Sequence, residues 1–196
     1  QNVQALVQAW EPGSLGGRAL ANILAGKVNP SAKLPISIPR HSGQIQMIYN
    51  HKPSQYFHKY IDGPSTPLYP FGFGLSYTRF AYSSLKLSHT RISDKDSFTA
   101  SIELTNVGDR EGTEVVQLYI RDIYSSATRP VKELKDFARV TLKPGEKKTV
   151  TFTVTPDKLA YWNRNMQYGV EKGEFEIMIG SSSQDKDLKK VKMEVL

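Results

Sequence analysis

Cysteine and long apolar runs are both missing from this chain of 196 residues. Without cysteine there are no disulfide bonds and no thiolate metal sites, a composition that fits a cytosol or a bacterial periplasm. No apolar run is long enough to cross a bilayer, so we expect no membrane contact. The chain also lacks an initiating methionine and a signal peptide, since it begins Gln1-Asn2-Val3, which predicts a start inside a larger protein.

Acidic residues are the minority charge, with 19 Asp and Glu against 26 Lys and Arg, for a formal net charge of +7. A positive excess can indicate a nucleic-acid partner. Here the basic residues alternate with acidic ones, as in 132–136 and 185–187, and no nucleic-acid-binding motif accompanies them. We therefore interpret the charge as solvated sheet faces and predict no nucleic-acid partner.

Sequence motifs for metal binding and for nucleophilic catalysis are also lacking. The four histidines do not have the spacing of a zinc site; they are His41, His51, His58 and His89. No serine or threonine lies in a nucleophile-elbow pattern. We predict no metal site and no cofactor.

Alternating apolar residues dominate from about Phe80 onward, the pattern of half-buried strands. The clearest runs are Phe98, Ala100, Ile102 and Leu104; Val116, Leu118 and Ile120; Val150, Phe152 and Val154; Phe175, Ile177 and Ile179; and Val191, Met193 and Val195. Gly- and Pro-containing turns separate them, as in 106–109, 143–146 and 171–173. About seven such strands predict an immunoglobulin-like or fibronectin type III-like β-sandwich, with one face of each strand buried.

The first part of the chain follows another pattern. Residues 3–10 predict a mostly apolar strand of a parallel sheet, covered on both faces in an intact protein. Leu20, Ile23 and Leu24 lie at helical spacing, with Ser14 as the predicted N-cap and Gly26 as the stop. Residues 34–39 are then held extended by two prolines. Strand, helix and extended strand together indicate the C-terminal tail of an α/β unit, followed by a long loop over 41–67.

Four groups of motifs occur in a fixed order. They are WEPGSLGGRA at 10–19 with GKVNPSAKLP at 26–35; LYPFGFGLSYT at 68–78; NVGDREGTEVVQLY at 106–119; and SSATRPVKEL at 125–134 with LKPGE at 142–146 and LAYW at 159–162. The ordered set resembles the C-terminal part of family 3 glycoside hydrolases of the periplasmic bacterial β-glucosidase type. The resemblance covers essentially the whole chain.

This resemblance implies a domain organisation. Residues 1–78 would be the C-terminal tail of the family's α/β sandwich domain plus a junction, and residues 79–196 its fibronectin type III-like domain. The partners would be an N-terminal barrel and the rest of the α/β domain of the same enzyme, in the periplasm or secreted. The intact enzyme would hydrolyse terminal non-reducing β-D-glucosyl residues of β-glucosides or oligosaccharides with retention.

The resemblance assigns no catalytic residue to this chain. Retaining hydrolysis needs two carboxyl groups, but the family's nucleophile lies in the barrel and its acid/base residue lies in a segment that would precede Gln1. Asp62, Asp122 and Glu133 are candidates by residue type only, and we expect them to be solvated. The fragment alone is therefore predicted to be inactive.

Two groups of residues have predicted supporting roles. Rim candidates near the substrate are Tyr49, His51, Tyr124 and Arg129, because aromatics can stack on sugars and the 124–129 connection resembles a family loop that reaches toward the catalytic domains. Domain-junction residues are predicted to be Tyr69, Phe71, Gly72, Phe73, Gly74 and Tyr77, in which aromatics supply area and glycines permit close approach. Tyr56, Phe57 and Tyr60 could stack on sugars or clamp the loop, and Trp162 is expected to fill the sandwich core.

Two other functions remain open from sequence alone. A stand-alone β-sandwich that binds carbohydrate or protein would have no use for the α/β tail in the first 75 residues. Nucleic-acid binding rests on charge alone and would depend steeply on salt.

Overall fold

The computed structural model describes residues 3–44, 46–53 and 63–196. They contain two α-helices, α1 (Gly16–Leu24) and α2 (Pro156–Leu159), and two short 3-10 helices, Ser42–Gln44 and Asp185–Asp187. The strands are β1 Phe80–Tyr82, β2 Lys86–Leu87, β3 Arg91–Ile92, β4 Phe98–Asn106, β5 Gly112–Asp122, β6 Glu133–Leu142, β7 Lys147–Val154, β8 Tyr161–Trp162, β9 Tyr168–Gly169, β10 Gly173–Gly180 and β11 Leu188–Val195. Among the described residues, no helix has the length and apolar character that a membrane span requires.

Two packed sheets form the larger part of the molecule. In the first, β4 pairs with β7 on one edge and with β1 and β2 on the other. The second has the order β3-β11-β10-β5-β6, antiparallel except for β3 against β11. A separate hairpin joins β8 to β9. The predicted mainly-β, fibronectin type III-like sandwich is confirmed.

The core between the sheets follows the alternation of the sequence. On β7, Val150, Phe152 and Val154 are buried, whereas Thr151 and Thr153 are exposed. The other alternating runs are buried in the same cluster, with Val191 half-buried at its margin. The predicted inward face of the strands is therefore confirmed.

The outer face of the second sheet is also buried, contrary to the expected single buried face per strand. Gln117 and Tyr119 of β5 are almost fully enclosed although their neighbours point into the sandwich core. Tyr119 packs with Met178 and Leu188 in a second cluster. The early part of the chain causes this, because Tyr49 and Phe71 cover that face together with Leu134.

Helix α1 begins later than the sequence predicts. Its C-terminal end lies before Gly26, as the sequence predicts. Its N-cap is Leu15, and Ser14 is the wrong residue because no side chain caps this end; the Gly16 amide instead donates to the Gly13 carbonyl. At the other end Gly26 has φ of +69°, and the amides of Gly26 and Lys27 donate to the carbonyls of Ile23 and Asn22. This pair of bonds is a Schellman motif.

Residues 3–10 do not form the predicted strand, because no described segment lies beside them to complete a ladder. Val3, Leu6 and Val7 are 71%, 69% and 49% exposed. An open apolar surface is what we expected for this stretch. The extended segment 34–39 does find a partner, since Ile38 forms an antiparallel bridge with Tyr69.

Candidate functional site

The turn at 68–73 is bound by backbone hydrogen bonds to the extended segment before it. The Leu34 amide donates to the Phe73 carbonyl and the Gly72 amide donates to the Leu34 carbonyl, both at 2.8 Å. The ring of Tyr69 stacks on that of Phe73, with centroids 5.6 Å apart. The turn is therefore an ordered element with its own aromatic packing.

Gln117 fastens this turn to the sandwich. Its side-chain amide donates to the carbonyls of Gly72 at 3.1 Å and Ser181 at 2.7 Å, while its oxygen accepts from the Tyr119 hydroxyl. Gly72 has φ of +78°, and a Cβ there would lie 2.1 Å from the Gln117 Oε1. A side chain at position 72 would thus displace the group that holds the turn. Glycine is favoured here for two reasons, the positive φ and the close approach of Gln117.

Aromatic side chains pack beside the contact between Gln117 and the turn at 68–73. The Phe71 ring stacks on Tyr49 with centroids 4.1 Å apart, and Tyr49 meets the edge of Tyr119 at 5.9 Å. The Phe71 carbonyl also accepts from the Ser183 amide at 3.0 Å. This packing links the turn to the outer face of the second sheet.

The end of the junction motif ties helix α1 to the sandwich. The Tyr77 hydroxyl donates to the Ile23 carbonyl at 2.7 Å. Asn29 accepts from the Ser76 hydroxyl and the Tyr77 amide, and donates to the Glu111 carbonyl. The predicted junction residues thus contribute contacts to both parts of the chain, and their role as a domain junction stays a prediction.

A buried asparagine completes this region. Asn106 is fully enclosed; it accepts from the Thr78 hydroxyl at 2.7 Å and donates to the carbonyls of Arg110 and Leu142. Asn29, Asn106 and Gln117 all lie in the motifs that carry the family resemblance, but sequence reasoning gave none of them a role. The available signal for Gln117 was a polar residue in a strand otherwise rich in apolar residues.

Arg129 is the centre of the connection between β5 and β6. Its guanidinium donates to the Leu159 carbonyl at 3.1 Å and to the Glu133 carboxylate, and lies 3.7 Å from the Asp122 carboxylate. It also lies 4.5 Å from the centroid of the Tyr161 ring, a cation–π contact. The side chain is 9% exposed, so these contacts occupy it.

The four rim candidates fall in different environments. Tyr49 is half-buried and its hydroxyl accepts from the Leu134 amide at 3.2 Å. The His51 carbonyl accepts from the Val131 amide, which brings this residue to the β5–β6 connection. Arg129 is enclosed, whereas Tyr124 is 80% exposed. Their role at a substrate rim stays a prediction, and Tyr56, Phe57, His58, Tyr60 and Asp62 lie outside the described residues.

Asp122 is not the solvated carboxylate that we expected. It is buried at the end of β5, and in the described part of the chain its Oδ2 has no hydrogen-bond partner. Burial raises the pKa of Asp122 from 3.8 to about 6, although the nearby Arg129 opposes the shift. For Glu133, burial acts in the same direction, but the bonds from Arg129 and Lys135 outweigh it and its pKa is lowered.

Stability should therefore depend on pH through Asp122. Because its folded pKa is raised, the folded state holds a proton that the unfolded state releases, so this contribution to stability is present below pH 3.8 and lost as pH rises to about 6. In the Asp122→Asn variant the side chain at this position has no proton to titrate in this pH range. We expect the free energy of unfolding of the variant minus that of the wild type to increase from about pH 4 to pH 7 in urea titrations. A difference that stays constant across this range would contradict the buried, proton-holding carboxyl.

An open cleft of about 340 Å³ lies between the end of α1 and the sandwich. Its lining includes Lys27, Tyr77, Arg110 and Glu111. Glu111 is the one carboxylate among the described residues that line it. The cleft therefore does not supply the two carboxyl groups that retaining hydrolysis uses.

Trp162 does not fill the core, contrary to our expectation. It is 62% exposed on the β8–β9 hairpin, and Leu159, which is 1% exposed, occupies the core position nearby. The reason is strand geometry, since Tyr161 faces Arg129 and the adjacent residue must then face away.

Comparison with known proteins identifies two matching family models. Residues 1–77 match the glycosyl hydrolase family 3 C-terminal domain, and residues 114–183 match a fibronectin type III-like domain. A periplasmic β-glucosidase of Salmonella typhimurium is 46% identical over 193 residues, covering 93% of this chain and 25% of that protein. A β-xylosidase of Formosa agariphila is 44% identical, covering all of this chain and 27% of the relative.

Solved structures agree with the sequence matches. A β-glucosidase from Erythrobacter marinus superposes with a TM-score of 0.91 at 43% identity, over 95% of this chain and 24% of that one. A β-glucosidase from Listeria innocua in complex with glucose gives 0.88 at 37% identity. The chain thus spans about a quarter of the length of the relatives that it matches.

Proposed function

The chain belongs to glycoside hydrolase family 3, and from this premise we propose that it serves as the C-terminal portion of a β-glucosidase-like enzyme. The enzyme would hydrolyse terminal non-reducing β-D-glucosyl residues with retention of configuration. The observation that carries the proposal is the 46% identity to a periplasmic β-glucosidase over nearly the whole chain. A separate sandwich that only binds ligands leaves the match over residues 1–77 unexplained.

The role of this portion is to support the active site rather than to perform the chemistry. A retaining enzyme needs a nucleophile and an acid/base carboxyl about 5–5.5 Å apart beside the substrate. Asp122 and Glu133 flank the same arginine, but Asp122 is buried and Glu133 is bound by Arg129 and Lys135. The reacting carboxyl groups would come from the barrel and the rest of the α/β domain.

The open apolar surface of residues 3–10 supports this partnership. Val3, Leu6 and Trp10 are more than half exposed, and a preceding α/β domain would cover them. We place the boundary between the α/β tail with its junction and the sandwich at 78/79. The Salmonella relative is a periplasmic enzyme, which favours a periplasmic or secreted location.

The isolated chain should not hydrolyse aryl β-glucosides, because neither reacting carboxyl group lies within it. The measurement is release of nitrophenol from p-nitrophenyl β-D-glucoside, compared with buffer. We expect equal rates. Turnover that survives repurification and disappears in Asp122→Asn or Glu133→Gln would contradict the supporting role.

A further inference from the structure

The β8–β9 hairpin has an anchored face and an open face. Tyr161 pairs with Gly169 and Trp162 pairs with Tyr168 across the two strands. Neighbouring residues of a strand point to opposite sides. Tyr161 lies against Arg129, while Trp162 and Tyr168 are 62% and 56% exposed. Their rings adjoin, with centroids 5.4 Å apart and planes tilted by 52°.

The anchored face fixes the hairpin to the connection after β5. The Tyr161 hydroxyl lies 3.2 Å from the amide and hydroxyl of Ser126, and both Ser126 groups also donate to the Glu171 carboxylate. From the tip of the hairpin, Arg164 donates to the Ser126 carbonyl at 3.2 Å. The hairpin is thus held at its strand and at its tip.

The turn of the hairpin is itself ordered. The side-chain oxygen of Asn163 accepts from the amides of Asn165 and Gln167 at 2.9 and 3.0 Å. The Asn163 amide donates to the Gln167 carbonyl at 3.0 Å, which closes the turn. The two outward rings therefore lie on an ordered hairpin. A ligand that binds to them has little conformational entropy of the protein to remove.

Groups around the two rings favour a neutral ligand with hydroxyl groups. The charged groups that hold the hairpin are already engaged: Arg129 with Asp122 and Glu133, and Glu171 with Ser126. Asn165 and Gln167, in the turn that joins the two strands, carry exposed side-chain amides, which both donate and accept hydrogen bonds. Flat aromatic faces suit the apolar faces of a pyranose, whose hydroxyl groups at the ring edge suit amides.

We propose that Trp162 and Tyr168 form a stacking platform for an oligosaccharide of β-linked glucose units, an inference that rests on the proposed function. In a β-1,4-linked chain of glucose units every ring substituent is equatorial, so both faces of each ring are apolar, and this linkage also keeps the chain extended. An extended chain can contact the adjoining rings of both side chains. The platform therefore places an oligosaccharide-binding surface at this end of the sandwich.

Tryptophan fluorescence tests the platform directly, because Trp10 and Trp162 are the two tryptophans in the chain. In a Trp10→Phe background, Trp162 is the reporter. We expect a saturable change in its emission as cellotetraose is added up to about 10 mM, with a Kd of about 1 mM. We expect maltotetraose, whose α-linked chain curls, to bind at least about tenfold more weakly.

Two variants separate stacking from a structural effect. Tyr168→Ala should weaken cellotetraose binding at least about tenfold, whereas Tyr168→Phe keeps the ring and should retain it. Phe137→Ala removes an exposed aromatic on β6 and should leave the titration unchanged. Each variant is first shown by urea titration to be fully folded under the conditions of the binding measurement.

Three results would overturn the platform: no saturable response to cellotetraose, an unchanged response in Tyr168→Ala, or an emission that changes with protein concentration instead of with saccharide. The last result would indicate that a second copy of the chain covers these rings. Since binding is measured without turnover, failure here leaves the proposed hydrolysis standing. An inactive enzyme would likewise leave the platform standing.

Discussion

Phe152→Ala should lower the free energy of unfolding by about 3–5 kcal/mol, the usual loss for a buried phenylalanine. Phe152 lies at the middle of β7, 5% exposed, in the core between the two sheets. Its cross-strand partner is Ala100, which is too small to fill the space that the ring would leave. The loss therefore combines the transfer free energy of the ring with a persistent cavity. Urea unfolding at equilibrium measures it.

Phe137→Ala is the matched control for this substitution. Phe137 lies on β6 and is 59% exposed, so removing the ring opens no core cavity. We expect a loss below about 1 kcal/mol. Equal losses in the two variants would mean that the sandwich core is not where the structure places it.

Gly72→Ala should be the most damaging single change in the turn at 68–73. The alanine would adopt φ of +78°, and its Cβ would lie 2.1 Å from Gln117 Oε1. The left-handed conformation costs about 1–2 kcal/mol, and displacing Gln117 leaves buried polar groups unpaired at about 1–3 kcal/mol. We expect a total loss of about 2–5 kcal/mol in the free energy of unfolding.

Gly145→Ala separates these two contributions. Gly145 has a similar φ of +74°, but a Cβ there would meet no atom within 4 Å. This variant should therefore show the conformational cost alone, about 1–2 kcal/mol. If Gly72→Ala were no worse than Gly145→Ala, the contact of the turn with Gln117 would contribute nothing to stability.

The sandwich was predictable because its signal is local. Alternation on β4 and β7 assigned Ala100 and Phe152 to the core, since side chains on a strand alternate strictly between two faces. The burial of Gln117 and Tyr119 was not predictable in this way. Their cover comes from Tyr49 and Phe71, far away in sequence, and only the tertiary fold brings those residues to the sheet.

Errors in the sequence predictions have physical causes of the same kind. Trp162, close to Leu159 in sequence, is predicted to fill the core, but Tyr161 of the two-residue strand β8 faces Arg129, so Trp162 faces away. Ser14 has the chemistry of an N-cap, yet the turn closed by Gly13 and Gly16 starts the helix without a side-chain cap. Residues 3–10 have the composition of a strand but no neighbour among the described residues.

Residue types in the candidate site were easier to predict than their environments. The motif order pointed to the family, and the family models and relatives bear it out. Arg129 was chosen as a rim residue because of the loop that carries it. The sequence alone could not show that Asp122, Glu133 and Tyr161 surround its guanidinium, because these residues meet only when the hairpin folds against β5 and β6.

The most direct test of the supporting role is the activity of a chimera. The stretch of the Salmonella periplasmic β-glucosidase that matches this chain is replaced by the chain itself, and hydrolysis of p-nitrophenyl β-D-glucoside is measured. The controls are that relative without the stretch and the isolated chain, both of which should be inactive. If this portion supports an active site built elsewhere, the chimera should have a kcat within about tenfold of the parent enzyme and an unchanged KM. A folded chimera with no more activity than the truncated relative would contradict that role.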